Sequence, residues 1–294
     1  MSIDSVPIFL AEGKTKQLWR LPRRPGMVSV ISKDDITAGD GARHDVIPGK
    51  GELVTQMTSD IFEFLRGIVP LAFMSREGSN TFIAANCRML SYEVIVRREA
   101  HGSYLQRYPE LQKGHRFDDL RVEFHLKTSG RRWRSHPDVE LECDDPLMVR
   151  DAEHGVIKLF NTHKPIAEQE PFRTLLPEHV YTNPYEDLFF ETMAGYAKKT
   201  FCMVEEAFRI LGYRYVDFKV EFGINPQGKI VLADVIDNDS GRLIDAEGNY
   251  VDKQRYRDGD DPQSVKRLYE LVANLTAQFA GLKERVLSGM TSEN

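Results

Sequence analysis

Asp217, Lys219 and Glu221 alternate with Val216, Phe218, Val220 and Phe222. In an extended chain this period of two puts the ionisable side chains on one face and the apolar ones on the other. The run Asn225-Pro226-Gln227-Gly228 marks a turn, and residues 229–236 read as a second apolar strand, so an antiparallel hairpin is expected. With the turn centred between Pro226 and Gln227, Lys219 lies opposite Asp234, and Glu221 is its diagonal neighbour within about 4.5 to 8 Å. Two carboxylates beside an ammonium suit a magnesium nucleotide, because a hard cation takes oxygen ligands, keeps its waters and bridges phosphates. The same residues also suit an exposed sheet face with a cross-strand ion pair worth at most about 1 kcal/mol. Asp237, Asn238, Asp239, Ser240, Gly241 and Arg242 follow as a polar loop. Ser240 and Arg242 could hold phosphate or sugar hydroxyls there, although such residues also favour plain turns.

Further candidates lie upstream. Glu12-Gly13-Lys14-Thr15-Lys16 falls in a predicted hairpin over 9–19, before a strand over 27–31. It is not a Walker A loop, since the upstream glycine and the strand-loop-helix context are missing. A lysine beside a glycine at a strand start can reach nucleotide phosphates, or can simply be solvated. Arg97 and Ser103 form an anion-site candidate, a guanidinium fork followed by a hydroxyl at a helix start; Ser103 reads equally as an N-cap. His101 alone reads as structural. Arg131, Arg132, Trp133 and Arg134 make a basic aromatic cluster, read as a solvated surface insertion. Asp144-Asp145-Pro146 closes that insertion and could supply a carboxylate to the site.

The elements that must position these residues are legible in outline. Residues 33–51, rich in Gly, Asp and Lys, read as a long irregular loop. Leu53, Met57, Ile61 and Leu65 recur at helical spacing, with Gly67 as the stop and Met57 and Phe64 as core candidates. Strands are expected over 81–84 and 89–96, a short helix before Pro109, and a least regular middle over 116–163. Residues 184–211 read as an amphipathic helix with Leu188, Tyr196, Phe201, Val204, Phe208 and Leu211 near one stripe. Asp261-Pro262 opens a final helix that runs through Val286, and the tail over 288–294 reads as frayed.

Composition bounds the class. The chain has 294 residues, 41% apolar and 29% charged, as an ordinary globular protein of one or two domains does. A net charge of −6 argues against a general nucleic-acid binder and leaves room for a local basic pocket. Cys87, Cys143 and Cys202 are odd in number and lack metal-ligand spacing, which points to a reducing compartment. With no basic leader and no apolar run of about 20 residues, no membrane span or signal peptide is expected, and the reading is cytoplasmic.

Five segments, in order along the chain, resemble the SAICAR synthetase family, the phosphoribosylaminoimidazole-succinocarboxamide synthases of purine biosynthesis. They are Glu12-Gly-Lys-Thr-Lys16, Ile36-Thr-Ala-Gly-Asp-Gly-Ala-Arg43, Tyr92-Glu-Val-Ile-Val-Arg-Arg-Glu-Ala-His-Gly-Ser103, Val216-Asp-Phe-Lys-Val-Glu-Phe-Gly223 and Leu232-Ala-Asp-Val-Ile-Asp-Asn-Asp-Ser-Gly-Arg242. The last segment, with the 252–257 run after it, looks closest to the synthetase half of the animal bifunctional enzyme, with no length left for a fused carboxylase domain. The resemblance implies an ATP-dependent ligase that joins 5-aminoimidazole-4-carboxylate ribonucleotide to L-aspartate, with ATP and Mg2+ as cofactors. It implies an α+β fold of two domains: residues 1–95, a small antiparallel sheet domain like a kinase N-lobe, and 96–294, a larger domain like ATP-grasp enzymes, with ATP between them. Its partners would be these small molecules, with no nucleic acid or membrane, and the oligomeric state is left open, a homo-oligomer included.

Position by position, Lys14 and Lys16 resemble the phosphate-side lysines, and the strand from Met89 to Glu93 the one that meets adenine. Lys127 and Asp234 would be further ATP contacts. Glu221 and Asp234 resemble magnesium ligands, while Arg97, Ser103 and Arg242 resemble the holders of the ribonucleotide phosphate, with Ser240 in the same loop. Asp217, Lys219 and Asp239 would surround the substrate, and Asp217, Lys219 and Lys127 are the catalytic candidates. The chemistry agrees: a carboxylate is a poor acyl donor until phosphoryl transfer makes an acyl phosphate for an amine to attack. That step needs cations, lysines and alignment more than a protein nucleophile.

Three departures fall near the substrate side. The family's compact Lys-x-Asp-Ala-x-x-Asp-Pro loop is broken after Lys127 by the arginine-rich insertion, with one acidic position lost or displaced before Asp144-Asp145-Pro146. Gly241 replaces a bulky residue, and His101 stands where a small one is usual. A paralogue that joins a different carboxylate and amine, a kinase-like phosphotransferase and a non-catalytic nucleotide-binding module therefore stay open.

Overall fold

In a computed structural model, residues 6–133, 136–181, 183 and 185–291 are described. Arg134 of the basic cluster, Pro184 at the expected helix start and the last three residues of the tail lie outside them. The chain is a mixed α+β protein with antiparallel sheets. It divides into two compact units, each assembled from separated stretches: one from residues up to Arg88, 202–215 and from Gly223 on, the other from 89–201 and 216–222.

The first unit opens with β1 (Ile8–Glu12), β2 (Lys16–Arg20) and β3 (Met27–Ser32), the hairpin and strand expected. Residues 33–51 are not an irregular loop. They form a small hairpin, β4 (Asp35–Ala38) and β5 (Arg43–Val46), in which Asp35 faces Val46 and Ala38 faces Arg43. The glycines that suggested a loop supply its tight turn, Gly39 and Gly41 both at positive φ. Helix α1 (Lys50–Leu65) follows, with Met57 and Phe64 buried in its core face. No residue of α1 caps it; Asp34 does, taking the N–H groups of Gly49 and Gly51 at 3.1 and 2.9 Å. Gly51 is required there, since a Cβ would lie 2.7 Å from the Ser32 carbonyl oxygen on β3. β6 (Phe73–Arg76) and β7 (Thr81–Ala85) complete the sheet in the order β1-β2-β3-β7-β6.

The second unit is built on β8 (Arg88–Glu99), entered at Met89, followed by α2 (Ser103–Arg107), β9 (Arg116–Leu126), β10 (Thr128–Ser129), β11 (Arg132–Trp133), β12 (His136–Glu140), β13 (Leu147–Asp151), β14 (Val156–Phe160) and β15 (Arg173–Leu175). The middle that looked irregular is thus mostly strand. Its apolar residues alternate with charged ones because β9, β13 and β14 lie in a sheet ordered β15-β14-β13-β9-β8-β16, each covering one face. β10, β11 and β12 form a separate small sheet, the insertion, with Trp133 and Leu141 buried in it at 2% exposure each.

After α3 (Pro177–Val180), α4 (Glu186–Ile210) leads through both units and stops at Gly212, at φ 87. Phe201, Val204 and Phe208 are buried as expected, but Leu188 is 70% exposed because it falls on the outward side of the first turn. β16 (Arg214–Ile224) carries the opening motif, and β17 (Ile230–Ala233) and β18 (Gly241–Ile244) follow. The expected last helix is two, preceded by a helical turn. α5 (Gln254–Arg257) is a single turn, α6 (Pro262–Thr276) is capped by Asp261 through the N–H groups of Gln263 and Ser264 at 3.0 Å, and α7 (Phe279–Thr291) starts after a break. The break turns Phe279 inward, 5.2 Å from Phe64 and 4.9 Å from Phe208 between ring centroids.

Candidate active site

Strand β16 shows how the site is made. Val216, Phe218, Val220 and Phe222 are buried, as alternation requires, but Asp217 and Glu221 are also buried, at 3% and 5% exposure. Side chains from the neighbouring strands cover these two carboxylates, whereas the Lys219 side chain between them stays 41% exposed, and each acidic or basic group there meets an opposite charge.

Within the second unit, Arg97 on β8 donates from Nη1 to Asp217 at 3.0 Å, and Lys219 donates to Glu93, also on β8, at 2.6 Å. Lys127, just past β9, bonds Glu221. Burial opposes the Lys219 charge, but the carboxylates of Glu93 and Glu221 outweigh it and hold its pKa above the ordinary value. Arg97 is only 2% exposed and its Nε also donates to Glu123 at 2.7 Å, so it is a braced guanidinium rather than an open fork. Ser103 is the first residue of α2. The cap position belongs to Gly102, at φ 55, and Ser103 makes no capping bond.

The insertion closes on itself beside Lys127. The Thr128 N–H donates to Asp145 Oδ1 at 2.7 Å, and its hydroxyl donates to Asp144 at 3.0 Å, so both ends of the detour meet at one clasp. Asp145, at φ 40, sits in a backbone region that favours glycine. Burial and then the charge of Glu93 push its carboxyl up, and Lys219 pulls the other way. The clasp thus leaves the Asp145 carboxyl close enough to Glu93 and Lys219 to feel both charges. Sequence reasoning assigned no role to Glu123, which bonds Arg97, or to Arg107 and His125, which approach Glu123. Their signal was present only as charges on an amphipathic strand and on a helix of one turn.

Within the first unit, Lys16 forms an ion pair with Asp234. Asp234 lies just past β17 at φ 63, outside the strand where alternation placed it. The turn explains the displacement. Asn225 N–H donates to the Lys229 carbonyl at 3.0 Å and Gly228, at φ 76, closes a bulge, so the hairpin is centred on Gln227. This register is one residue off the one that would set Lys219 directly opposite Asp234. Lys14 is exposed on the turn before β2, and Met89 is exposed at 43%.

The 237–242 loop is more internally bonded than a phosphate-holding loop needs to be. The Ser240 hydroxyl donates to Asp237 at 2.9 Å and accepts the Asp237 N–H at 3.1 Å. Asp239 accepts from Lys253 at 3.2 Å and from the Tyr269 hydroxyl, with the Lys50 ammonium 3.5 Å away. Burial raises both Asp237 and Asp239, but the two lysines keep Asp239 well below the carboxylate range while Asp237, facing Asp239, stays up. Arg242 is half-buried on β18, next to Leu243, whose N–H is held by Asp252 at 2.7 Å.

Among the described residues no group of three or more His, Cys, Asp or Glu is placed to hold a metal, and no helix is long and apolar enough to cross a membrane. Burial pushes the Cys87 thiol up to about 11 and raises Cys143, so neither is poised as a thiolate nucleophile. An α+β scaffold that sets lysines and an arginine against carboxylates in this way is that of an enzyme acting on charged small molecules.

The SAICAR synthetase family model matches residues 9–170 and 175–273. The phosphoribosylaminoimidazole-succinocarboxamide synthase of Chloroflexus aurantiacus is 36% identical over 278 residues, covering 92% of this chain and 96% of that protein. The chain belongs to the SAICAR synthetase family. The bifunctional carboxylase and succinocarboxamide synthetase of Drosophila melanogaster is 31% identical over 299 residues, 97% of this chain and 61% of that protein. The animal likeness of the last segment is thus not matched by higher identity over the whole chain. A solved type-2 SAICAR synthetase in complex with ADP superposes with a TM-score of 0.66 at 25% identity, over 90% of this chain and 96% of that one.

Proposed function

We propose that the chain is an ATP-dependent carbon–nitrogen ligase that joins 5-aminoimidazole-4-carboxylate ribonucleotide to L-aspartate in purine biosynthesis. One observation carries the reading beside family membership: Lys16 with Asp234, Glu93 with Lys219, Lys127 with Glu221 and Arg97 with Asp217 are ion pairs in which both partners are residues expected at the site. Such pairs are a resting arrangement. With a magnesium nucleotide bound, the carboxylates of these pairs would be able to meet the cation and the ammonium groups the phosphates, so that each charge keeps an opposite partner.

The donor chemistry suits Mg2+: Glu221 and Asp234 would each offer hard carboxylate oxygens, and magnesium needs only one or two carboxylates because it keeps waters and shares substrate phosphates. When bound, the ion would draw charge from the phosphoryl group in transfer. Lys14, Lys16 and Lys127 then neutralise phosphate oxygens, with the strand from Met89 to Glu93 against the adenine. Lys219, kept protonated by Glu93 and Glu221, stabilises charge on the substrate carboxylate, and Asp217 orients it. Arg97, Ser103 and Arg242 hold the ribonucleotide phosphate, with Asp239 and Ser240 shaping the loop around it.

Residues 1–95 serve as the kinase-N-lobe-like nucleotide-binding part and 96–294 as the ATP-grasp-like part with metal and substrate sites. This is a division of labour along the chain rather than of folding units. A reducing, cytoplasmic setting suits three cysteines of which none forms a disulfide among the described residues. The test is coupled ADP release with magnesium across candidate carboxylates and amines. Release that requires both the aminoimidazole ribonucleotide and aspartate is expected. Release only with another carboxylate or amine would assign the chain to a specialised nucleoside pathway. A stable phosphorylated product with no need for an amine would make it a phosphotransferase.

A further inference from the structure

We propose that Glu123 is a positioning residue for the substrate phosphate: braced by Arg107, it fixes the guanidinium of Arg97 at the angle at which that group meets the ribonucleotide. The proposal rests on the reading of Arg97 as a phosphate holder and adds what makes that holder rigid. Glu123 Oε2 accepts from Arg97 Nε at 2.7 Å, while Oε1 accepts from Arg107 Nη2. The side chains of Arg97, Arg107 and Glu123 are 2%, 0% and 9% exposed. Both guanidinium carbons lie over the ring of Tyr104, at 5.4 Å for Arg97 and 5.6 Å for Arg107. That ring belongs to α2 and is the residue after Ser103.

Several features make this a brace rather than a generic buried pair. One carboxylate spans two guanidinium groups, using each oxygen once, so neither arginine can rotate without breaking a charge-assisted bond in a site with little water. Arg107 Nε and Nη1 meet no acceptor among the described residues, so the hydrogen-bonded hold of its guanidinium on this region runs through Glu123. Asp217 fixes a second edge of Arg97, through Nη1. His125 approaches the same carboxylate, with Nε2 at 3.9 Å from Oε2, and is itself tied by Nδ1 to the Asp145 carbonyl at 2.9 Å. Burial raises the Glu123 carboxyl, but Arg97, His125 and Arg107 outweigh it and hold it well below the carboxylate range. The carboxylate that both guanidinium groups bond is thus held in its charged form. Two positive groups, one shared anion and Asp217 leave the cluster neutral, so an incoming phosphate binds to a group whose direction is set beforehand. Preorganisation of that kind lowers the ordering cost of binding.

The experiment separates phosphate recognition from everything else. Glu123→Gln removes the charge at constant volume. Glu123→Asp keeps the charge but is a methylene too short to span both arginines, and it carries the test if the neutral variant does not fold. For each, the KM of the ribonucleotide is compared with the competitive Ki of its dephosphorylated nucleoside, with the thermal midpoint as a check on folding. The ribonucleotide KM is expected to rise about tenfold, as for a misaligned charge-assisted bond, while kcat, the KM of ATP and the nucleoside Ki stay within about twofold. Folded variants that keep the full preference for the phosphorylated compound would overturn the brace, as would an equal rise for both compounds. If the unaltered protein shows no such preference, Arg97 is not a phosphate holder and the proposal falls with that reading.

Discussion

Glu221 and Asp234 each face a lysine, and the consequence of removing either charge differs from that of removing an ordinary surface carboxylate. Glu221→Gln leaves Lys127, whose side chain is 17% exposed, without its partner, and on the proposed assignment it would also remove an oxygen ligand for magnesium at the same volume. Turnover is expected to fall by about a hundredfold or more, as for other lost electrostatic contributions to a transition state, with the far-ultraviolet spectrum unchanged. Asp234→Asn should behave alike. ADP release within about tenfold of the unaltered protein in both would remove the metal assignment. A second residue-scale effect concerns Asp252, which is fully buried. Burial pushes its carboxyl from 3.8 to about 7, against the pull of the Gln254 and Leu243 amides and of Arg242 and Arg257. The folded pKa is the higher one, so the native state binds more protons between the two values. Stability from this group falls as pH rises from about 4 to about 7 and levels off above, by up to about 4 kcal/mol. Urea midpoints for Asp252→Asn at about pH 5 and about pH 7.5 should differ less than those of the unaltered protein, and an equal difference would assign the slope to other groups. The charged residues themselves were legible in the sequence. Arg107 and Glu123 were not assigned, because a charge on a half-buried strand looks the same in sequence whether it meets water or a guanidinium.

Among the elements, α1 shows local propensity overruled by packing. Alanine is the better helix former, yet at Gly51 its Cβ would stand 2.7 Å from the Ser32 carbonyl oxygen, a backbone atom that cannot swing aside. Gly51→Ala is expected to destabilise the protein by about 1 to 3 kcal/mol in chemical denaturation, the range for overpacking, where propensity alone predicts a gain. A neutral or stabilising result would mean that α1 can move away from β3. Periodicity found α1 and α4 within about two residues, the start of α6, and the strands of the first sheet and of β16 in outline, because apolar spacing reports the buried face directly. It failed over 116–163, where long β9 carries Arg, Asp and Glu between its apolar residues, and over 33–51, where glycines that read as loop make the turn of a hairpin. It also missed the bulge at Gly228. Turn residues identify a turn more readily than its length, and one extra residue shifts the register of all that follows.

For the molecule as a whole, the two compact units interleave along the chain, and this bears on what can fold alone. Residues 1–95 hold a five-stranded sheet and α1, but the other side of α1 is covered by late residues. Phe279 packs on Phe64, the Thr58 hydroxyl donates to the Ile236 carbonyl at 3.2 Å, and Leu232 bridges Leu71. A fragment of residues 1–95 is therefore expected to lack cooperative thermal unfolding and dispersed amide resonances, and a folded fragment would show that the N-terminal sheet and α1 suffice as a core. By itself the sequence determined which residues carry charge, which faces are apolar and to which family the motifs belong, because these depend on residue type and near-neighbour spacing. Only the tertiary structure decided the partners. Lys127 meets Glu221, Arg97 meets Asp217 and Lys219 meets Glu93 across separations of 94, 120 and 126 positions. Those meetings follow from strand order and hairpin register, which are set by the packing of the whole chain and leave no trace in any short stretch of it.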